Sequence, residues 1–298
     1  MDARCQDGNT KDVKILSKLY RTACRFDVLA LKPGNVSIDF GGHDMIAAQF
    51  LDAARVSSEP LVTATTVGES ILKATRASVE ETGCNTNLGI ILLCAPLVLT
   101  ARNILADTND GTLRERLIEL LDWTTVDDAA NVYQAITIAE PGGLGSSEAH
   151  DVADIPAVTL ADAMKFAAER DRIAHQYKTG YVDIFTLGLP IYHHFINRWS
   201  SVKWATVAVY LSFLAHLNDT HIARKYGVSV AENVRLEALP LERAFKACEN
   251  PVEFSSRLIG FDAELKRGGV NPGTSADLTV ASLLAFLLAV HLKSVTKA

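Results

Sequence analysis

The stretch NLGIILLCAPLVLTARNIL, residues 87–105, decides the fold. Apolar side chains fall on nearly every side of it, so a helix built from it has little face to give to water. It is predicted to be a central helix surrounded by others. Pro96 lies within it and predicts a kink, because proline removes one ladder hydrogen bond. Toward the N-terminus, Val13, Leu16, Leu19, Tyr20, Ala23, Phe26 and Leu29 recur at three- and four-residue spacing, which makes one apolar helix face. Ala-rich helices are predicted at 45–56 and 59–80. Glu59-Pro60 would start the second, since proline is tolerated in a first turn. Toward the C-terminus, helices are predicted at 112–122 and 126–139, and then at 159–178, 181–197, 201–225, 229–248, 251–267 and 275–293. No alternating run demands a sheet, and no repeat unit recurs. The expectation is one all-α domain covering residues 1–298. The interval EPGGLGSSEAHDVADIPA, 140–157, is then a loop inside it, of a length that is usually functional or disordered.

Bulk properties narrow the function. Hydrophobic residues make up 48% of the 298 and charged ones 21%, a globular balance. The net charge of −6 argues against nucleic-acid binding, which needs a basic face. The N-terminal MDARCQDGNTKDVK lacks the apolar core of a secretory signal. The most apolar runs, Leu88 to Ala101 and Leu278 to Leu292, fall short of the roughly 18–20 residues that cross a bilayer, so no membrane association is expected. Cys5, Cys24, Cys84, Cys94 and Cys248 are odd in number and form no CxxC pair. Reduced thiols and a cytoplasmic location follow.

Four polar segments interrupt the apolar helices. The first is KPGNVSIDFGGHDM, Lys32 to Met45, where proline and three glycines shape a loop that can bring amides, a cation and a carboxylate together. Such a loop suits a phosphate with its metal ion, and it also suits a plain connector. The second is ETGCNTNLG, Glu81 to Gly89. Its Asn85, Thr86 and Asn87 are natural N-caps, and the helix start they precede could face an anion. In HLNDTHIARKYG, His216 to Gly227, Asn218, Asp219 and His221 precede Arg224 and Lys225 on what reads as the tail of a long helix, where cations complement the dipole. The last, GGVNPGTSADL, Gly268 to Leu278, makes a tight turn before the final helix and puts Asp277 in its first turn.

Other signals carry less. Gly142-Gly143-Leu144-Gly145 has neither Rossmann nor P-loop spacing, and His175 and His193-His194 lack a ligand partner at a suitable offset. No nucleophile elbow appears. Asp44, Asp219 and Asp277 each stand at a helix end or a polar break. Carboxylates of this kind hold hard cations such as magnesium, often shared with a substrate phosphate.

The ordered set KPGNV, GGHDM, TGCNTNLGIILL, NDTHIARKYG and NPGTSADL resembles the triphosphoribosyl-dephospho-coenzyme A synthase family over roughly residues 15–292. The resemblance implies an all-helical enzyme that takes ATP as a ribosyl donor. Adenine would leave the anomeric carbon, and the triphosphate-bearing ribose would join a hydroxyl of dephospho-coenzyme A. It further implies Mg2+ held by Asp44, Asp219 and Asp277, and a catalytic set of His43, Asp44 and Asp219. Lys32, Gly34, Asn35, Asn85, Thr86, Asn87, Arg224, Asn271 and Gly273 would bind substrate and phosphate. Small-molecule nucleotide and coenzyme-precursor substrates are the expected partners, and the apolar helices leave room for a homodimer.

Three departures mark a divergent branch, similar to homologues of archaea and one-carbon-metabolising bacteria. A His-Lys pair common after the Asn-Thr of the second segment is replaced by Asn87-Leu88. His43 and Asp44 are adjacent where a residue commonly separates them. Asn35 stands where leucine is usual. Two alternatives follow: ribosyl phosphate transfer in methanopterin-type coenzyme synthesis, and nucleotide binding without catalysis.

Overall fold

A computed structural model describes residues 3–106, 111–146 and 149–295, with residues 3–9 described by backbone alone. Helix α1 (Ala3–Leu29) is followed by α2 (Ala47–Thr63), α3 (Val67–Thr82), α4 (Leu88–Ala106), α5 (Leu113–Asp122) and α6 (Val126–Ala139). Then come α7 (Leu160–Ala167), α8 (Arg172–Thr179), α9 (Leu189–Trp199), α10 (Val202–His216), α11 (Thr220–Tyr226), α12 (Val228–Ala247), α13 (Ser255–Arg267) and α14 (Gly273–Val295). There is no strand among the described residues, only an isolated bridge between Gly42 and Met45. The all-α expectation holds.

The interior is built on α4 and α14, which pack on each other. Around α4 lie α1, α2, α3, α5, α6 and α8; around α14 lie α1, α8, α9, α10 and α11. Both helices are longer than their apolar runs suggested, and by length and composition either could cross a membrane. They are core helices: 72% of the apolar window of α4 and 56% of that of α14 are buried inside the protein.

Pro96 sits inside α4 and leaves the carbonyl four residues earlier, that of Leu92, without its helical donor. The Tyr177 hydroxyl supplies one at 2.6 Å, and the Tyr181 hydroxyl donates to the neighbouring Leu93 carbonyl at 3.0 Å. Both tyrosines are buried. The proline thus fixes where α8 and the turn after it dock on the central helix.

Four predicted boundaries change. Glu59-Pro60 does not begin a helix, because α2 runs through Pro60 to Thr63. The stronger start lies beyond, where Thr66 Oγ1 accepts from Glu69 N–H at 3.2 Å and Glu69 accepts in return from Thr65. The predicted helix 159–178 splits at Asp171, whose Oδ1 accepts from Ile173 and Ala174 N–H and caps α8. The predicted helix 201–225 splits at Leu217–Asp219, because Asp219 caps α11 in the same way. The segment 181–197 opens with a π-helical turn, Ile184–Gly188, in which Gly188 lies against Ser282 of α14 and Phe213 of α10. Cys24, Cys84, Cys94 and Cys248 carry free thiols, and the side chain of Cys5 lies outside the described residues.

Candidate active site

A cavity of about 760 Å³ opens where the first turns of α4, α8, α11 and α14 come together. All four polar segments reach it. Asn35 comes from the first, Asn85, Leu88 and Gly89 from the second, Thr220, His221 and Arg224 from the third, and Asn271, Gly273, Thr274 and Asp277 from the fourth. Apolar side chains, among them Val132, Leu160, Met164, Phe166 and Ile173, share the lining with these polar groups. The loop after α6 covers one side through Pro141, Gly142, Leu144 and His150.

The first and fourth segments are clamped together. Gly34 has φ +82°, and a Cβ there would meet Pro272 Cδ at 2.8 Å and Leu265 Cδ1 at 2.9 Å, so only glycine fits. Its N–H donates to Asp262 at 2.8 Å, and Asn35 Nδ2 donates to Asn271 Oδ1 at 2.8 Å. Below them Lys32 is fully buried, its ammonium bonded to Asp27 and, at 2.9 Å, to Asn35 Oδ1.

Several predicted site residues stand elsewhere. Lys32 does not reach the cavity; its charge goes to Asp27, so it positions that carboxylate and Asn35. Asp219 is 2% exposed, with both oxygens engaged: Oδ1 accepts from His221 and Ile222 N–H, and Oδ2 from Ser275 N–H and Oγ. It ties the starts of α11 and α14 together one layer behind the wall, with no lone pair left for a metal or a proton transfer. His43 and Asp44 occupy a two-residue turn, with φ +57° and +60° and paired bonds between Gly42 and Met45. That is the hairpin geometry usually given to Asn-Gly. It turns Asp44 to the surface and leaves His43 Nε2 on the Gly34 carbonyl at 2.8 Å, so neither lines the cavity. Gly34, Thr86 and Asn87 also lie outside the lining, with Asn87 Nδ2 donating to the Phe50 carbonyl at 3.2 Å. Of the three proposed metal ligands, only Asp277 faces the cavity. Among the described residues no group of three or more His, Cys, Asp or Glu side chains could hold a metal ion.

Three cavity residues had drawn no expectation for the site. Asp27 is buried at the end of α1; its place on the apolar stripe after Ala23 and Cys24 was the available signal. Asp171 caps α8 and holds Arg224 Nη1 at 3.3 Å. His221 is held well below the usual imidazole range, at about 4, by burial and by the nearby cations Arg224 and Lys225. Its ring makes no hydrogen bond among the described residues and is neutral at pH 7, and the surroundings that lower its pKa also make it a weak base in the empty cavity. Burial pushes the Asp277 carboxyl far up, reinforced by Asp219 and Asp27 and opposed by Lys32.

Carboxylates outnumber guanidinium groups in the lining, so an anionic substrate would need a cation with it. A family model described as ATP:dephospho-CoA triphosphoribosyl transferase matches residues 14–296. The chain belongs to that family. It is a transferase of the triphosphoribosyl-dephospho-CoA synthase type, acting on the small molecules ATP and dephospho-CoA. A search of curated proteins gives no match. Among solved structures, a crystal structure from Archaeoglobus fulgidus that carries the name of a triphosphoribosyl-dephospho-CoA synthase is similar, with 23% identity and a TM-score of 0.59. The match covers 81% of this chain and 98% of that one, and it supports the fold. The family match favours transfer to dephospho-CoA over the methanopterin-type and non-catalytic alternatives.

Proposed function

We propose that the transferase is a pentosyltransferase. The bond from the ribose anomeric carbon of ATP to adenine breaks, and a hydroxyl oxygen of dephospho-CoA bonds to that carbon. Adenine leaves with the bonding electron pair and takes up a proton, while the hydroxyl proton passes to the protein. The mixed polar and apolar lining of the cavity supports this reading. Asn35, Asn85, Asn271 and Arg224 are polar groups in that lining for a phosphorylated ribose, and its apolar side chains suit the methylene-rich arm of the acceptor. Positive charge developing on the sugar is stabilised by nearby carboxylate oxygens.

His221 is the base in this scheme. It stands in the lining with a ring that has no side-chain partner, and the negative charge of a bound triphosphate beside it would raise its lowered pKa toward the range a general base needs. Magnesium belongs to the reading for an electrostatic reason. Asp27, Asp151, Glu169, Asp171 and Asp277 line the cavity against two guanidinium groups, those of Arg170 and Arg224. A triphosphate entering that field would be repelled without a cation, and a bound Mg2+ would supply the offsetting charge. Asp277 and Asp27 have oxygens to offer such an ion. The thiol chemistry and the ATP substrate support a cytoplasmic location.

The test is to incubate the pure protein with ATP, Mg2+ and dephospho-CoA and follow free adenine by chromatography. Adenine released in step with consumption of the acceptor is expected. Formation of ADP or inorganic phosphate without adenine would overturn the proposal.

A further inference from the structure

Asp27 and Asp277 come from the two ends of the chain, from the last turn of α1 and the start of α14, and line the same cavity. Asp27 is 4% exposed; one oxygen takes the Lys32 ammonium, and the other, Oδ1, has no hydrogen-bond partner. Asp277 makes no hydrogen bond or ion pair among the described residues. A Cβ at Gly89 would fall on the Asp277 carboxylate, so the first turn of α4 is bare there and the carboxylate rests on its backbone.

The charge balance around this pair is incomplete. Burial raises the Asp277 carboxyl, and the nearby Asp219, Asp27 and Asp171 add to that while Lys32 opposes it. Asp219 is satisfied by four donors, whereas Asp27 Oδ1 and the Asp277 carboxylate are not. Two carboxyl groups face the same cavity with oxygens that no donor satisfies, and keeping them ionised there is costly without a cation. A divalent ion closes that gap. Magnesium takes oxygen ligands, keeps several waters, and commonly uses one or two carboxylates together with substrate phosphate.

We propose that Asp27 and Asp277 form a divalent-cation site on the floor of the cavity, with Lys32 fixing Asp27 and the glycine at position 89 making room for Asp277. The remaining coordination positions belong to water and to the incoming triphosphate. This rests on the reading of the cavity as the ATP site, and it replaces the Asp44–Asp219–Asp277 set with a pair.

Mn2+ serves as the probe. Titration of the full-length chain without nucleotide, followed by electron paramagnetic resonance of the free ion, should show one bound Mn2+ per chain. Asp277→Asn and Gly89→Ala should each weaken that binding by on the order of tenfold or more, while Asp44→Asn leaves it unchanged. Asp27→Asn should weaken it too, but it strands a buried lysine, so its thermal unfolding is recorded alongside. Asp277→Asn and Gly89→Ala decide if it fails to fold. Binding in Asp277→Asn within about twofold of the parent overturns the site, as does no binding by the parent up to millimolar Mn2+. In the second case, a protonated-carboxyl infrared band lost in Asp277→Asn would show that a proton occupies the place assigned to the metal. Adenine release separates this from the reaction assignment. Release with unaltered Mn2+ binding in Asp277→Asn defeats the site alone; Mn2+ binding that needs Asp277, without adenine release, defeats the reaction alone.

Discussion

Asp219 shows how a single carboxylate can be read in two ways. An aspartate between apolar helices looked like a metal ligand, yet its four hydrogen bonds make it the knot between α11 and α14. Asp219→Ala should therefore destabilise the fold by about 3 kcal/mol or more, the loss of a cap plus buried donors left unpaired. Urea denaturation measures this, and a variant as stable as the parent would contradict the assignment. His221 yields a prediction of opposite character. The unfolded chain binds its imidazole proton near the ordinary value of 6.5, the folded protein only near 4. Between those values the unfolded state holds more protons, so this group makes stability fall as pH falls. His221→Gln removes that contribution. The variant should lose less stability than the parent between pH 7 and pH 4.5, in thermal melts at matched ionic strength; parallel curves would contradict it. Residue type alone told part of this story. Asn271 and Asp277 follow a turn and were readable as site residues. Asp27 was hidden because an aspartate in a helix usually faces water, and only its place on the apolar stripe betrayed it.

Helix α4 and the tyrosines that serve it carry the argument to the secondary elements. The periodic pattern placed α4 within a residue or two, but not the partner of the carbonyl that Pro96 releases. That partner, Tyr177, is 85 residues away in sequence. Tyr177→Phe should cost about 1–3 kcal/mol, because a buried carbonyl loses its donor. In a Pro96→Ala background the helix supplies its own N–H to Leu92, and the same substitution should be nearly neutral. A double-mutant cycle in urea shows the difference, and additive costs would refute the link. The misplaced boundaries share a cause. Pro60 reads as a helix start because proline suits a first turn, yet the Thr66–Glu69 cap is the more directive signal. The segment 201–225 stayed apolar enough to look continuous, and the break depends on an aspartate whose second oxygen is engaged by Ser275, a distant residue.

In the assembled molecule the cavity exists only because four segments far apart in sequence converge. Sequence order identified the segments; it could not say which of their side chains face inward, since that depends on helix rotation. The loop after α6 has a length that is usually functional or disordered, and its described residues dock on α11 and line the cavity. Arg224 Nε donates to the Gly142 carbonyl at 3.2 Å and Nη1 to Asp171, while Gly143 lies on the Arg224 backbone. Arg224→Ala should loosen this side of the cavity, with faster subtilisin cleavage near Leu144 and a higher KM for ATP. Unchanged cleavage would show that the loop is held by other contacts. The pairing of α4 with α14 has a consequence for synthesis. The central helix leaves the ribosome some 170 residues before the helix that covers it is translated. Until then an apolar segment with the profile of a membrane span lacks the helix with which it packs most extensively. The nascent chain therefore depends on chaperones or on provisional packing against α1 to α3 to keep that segment from water, membranes and other chains.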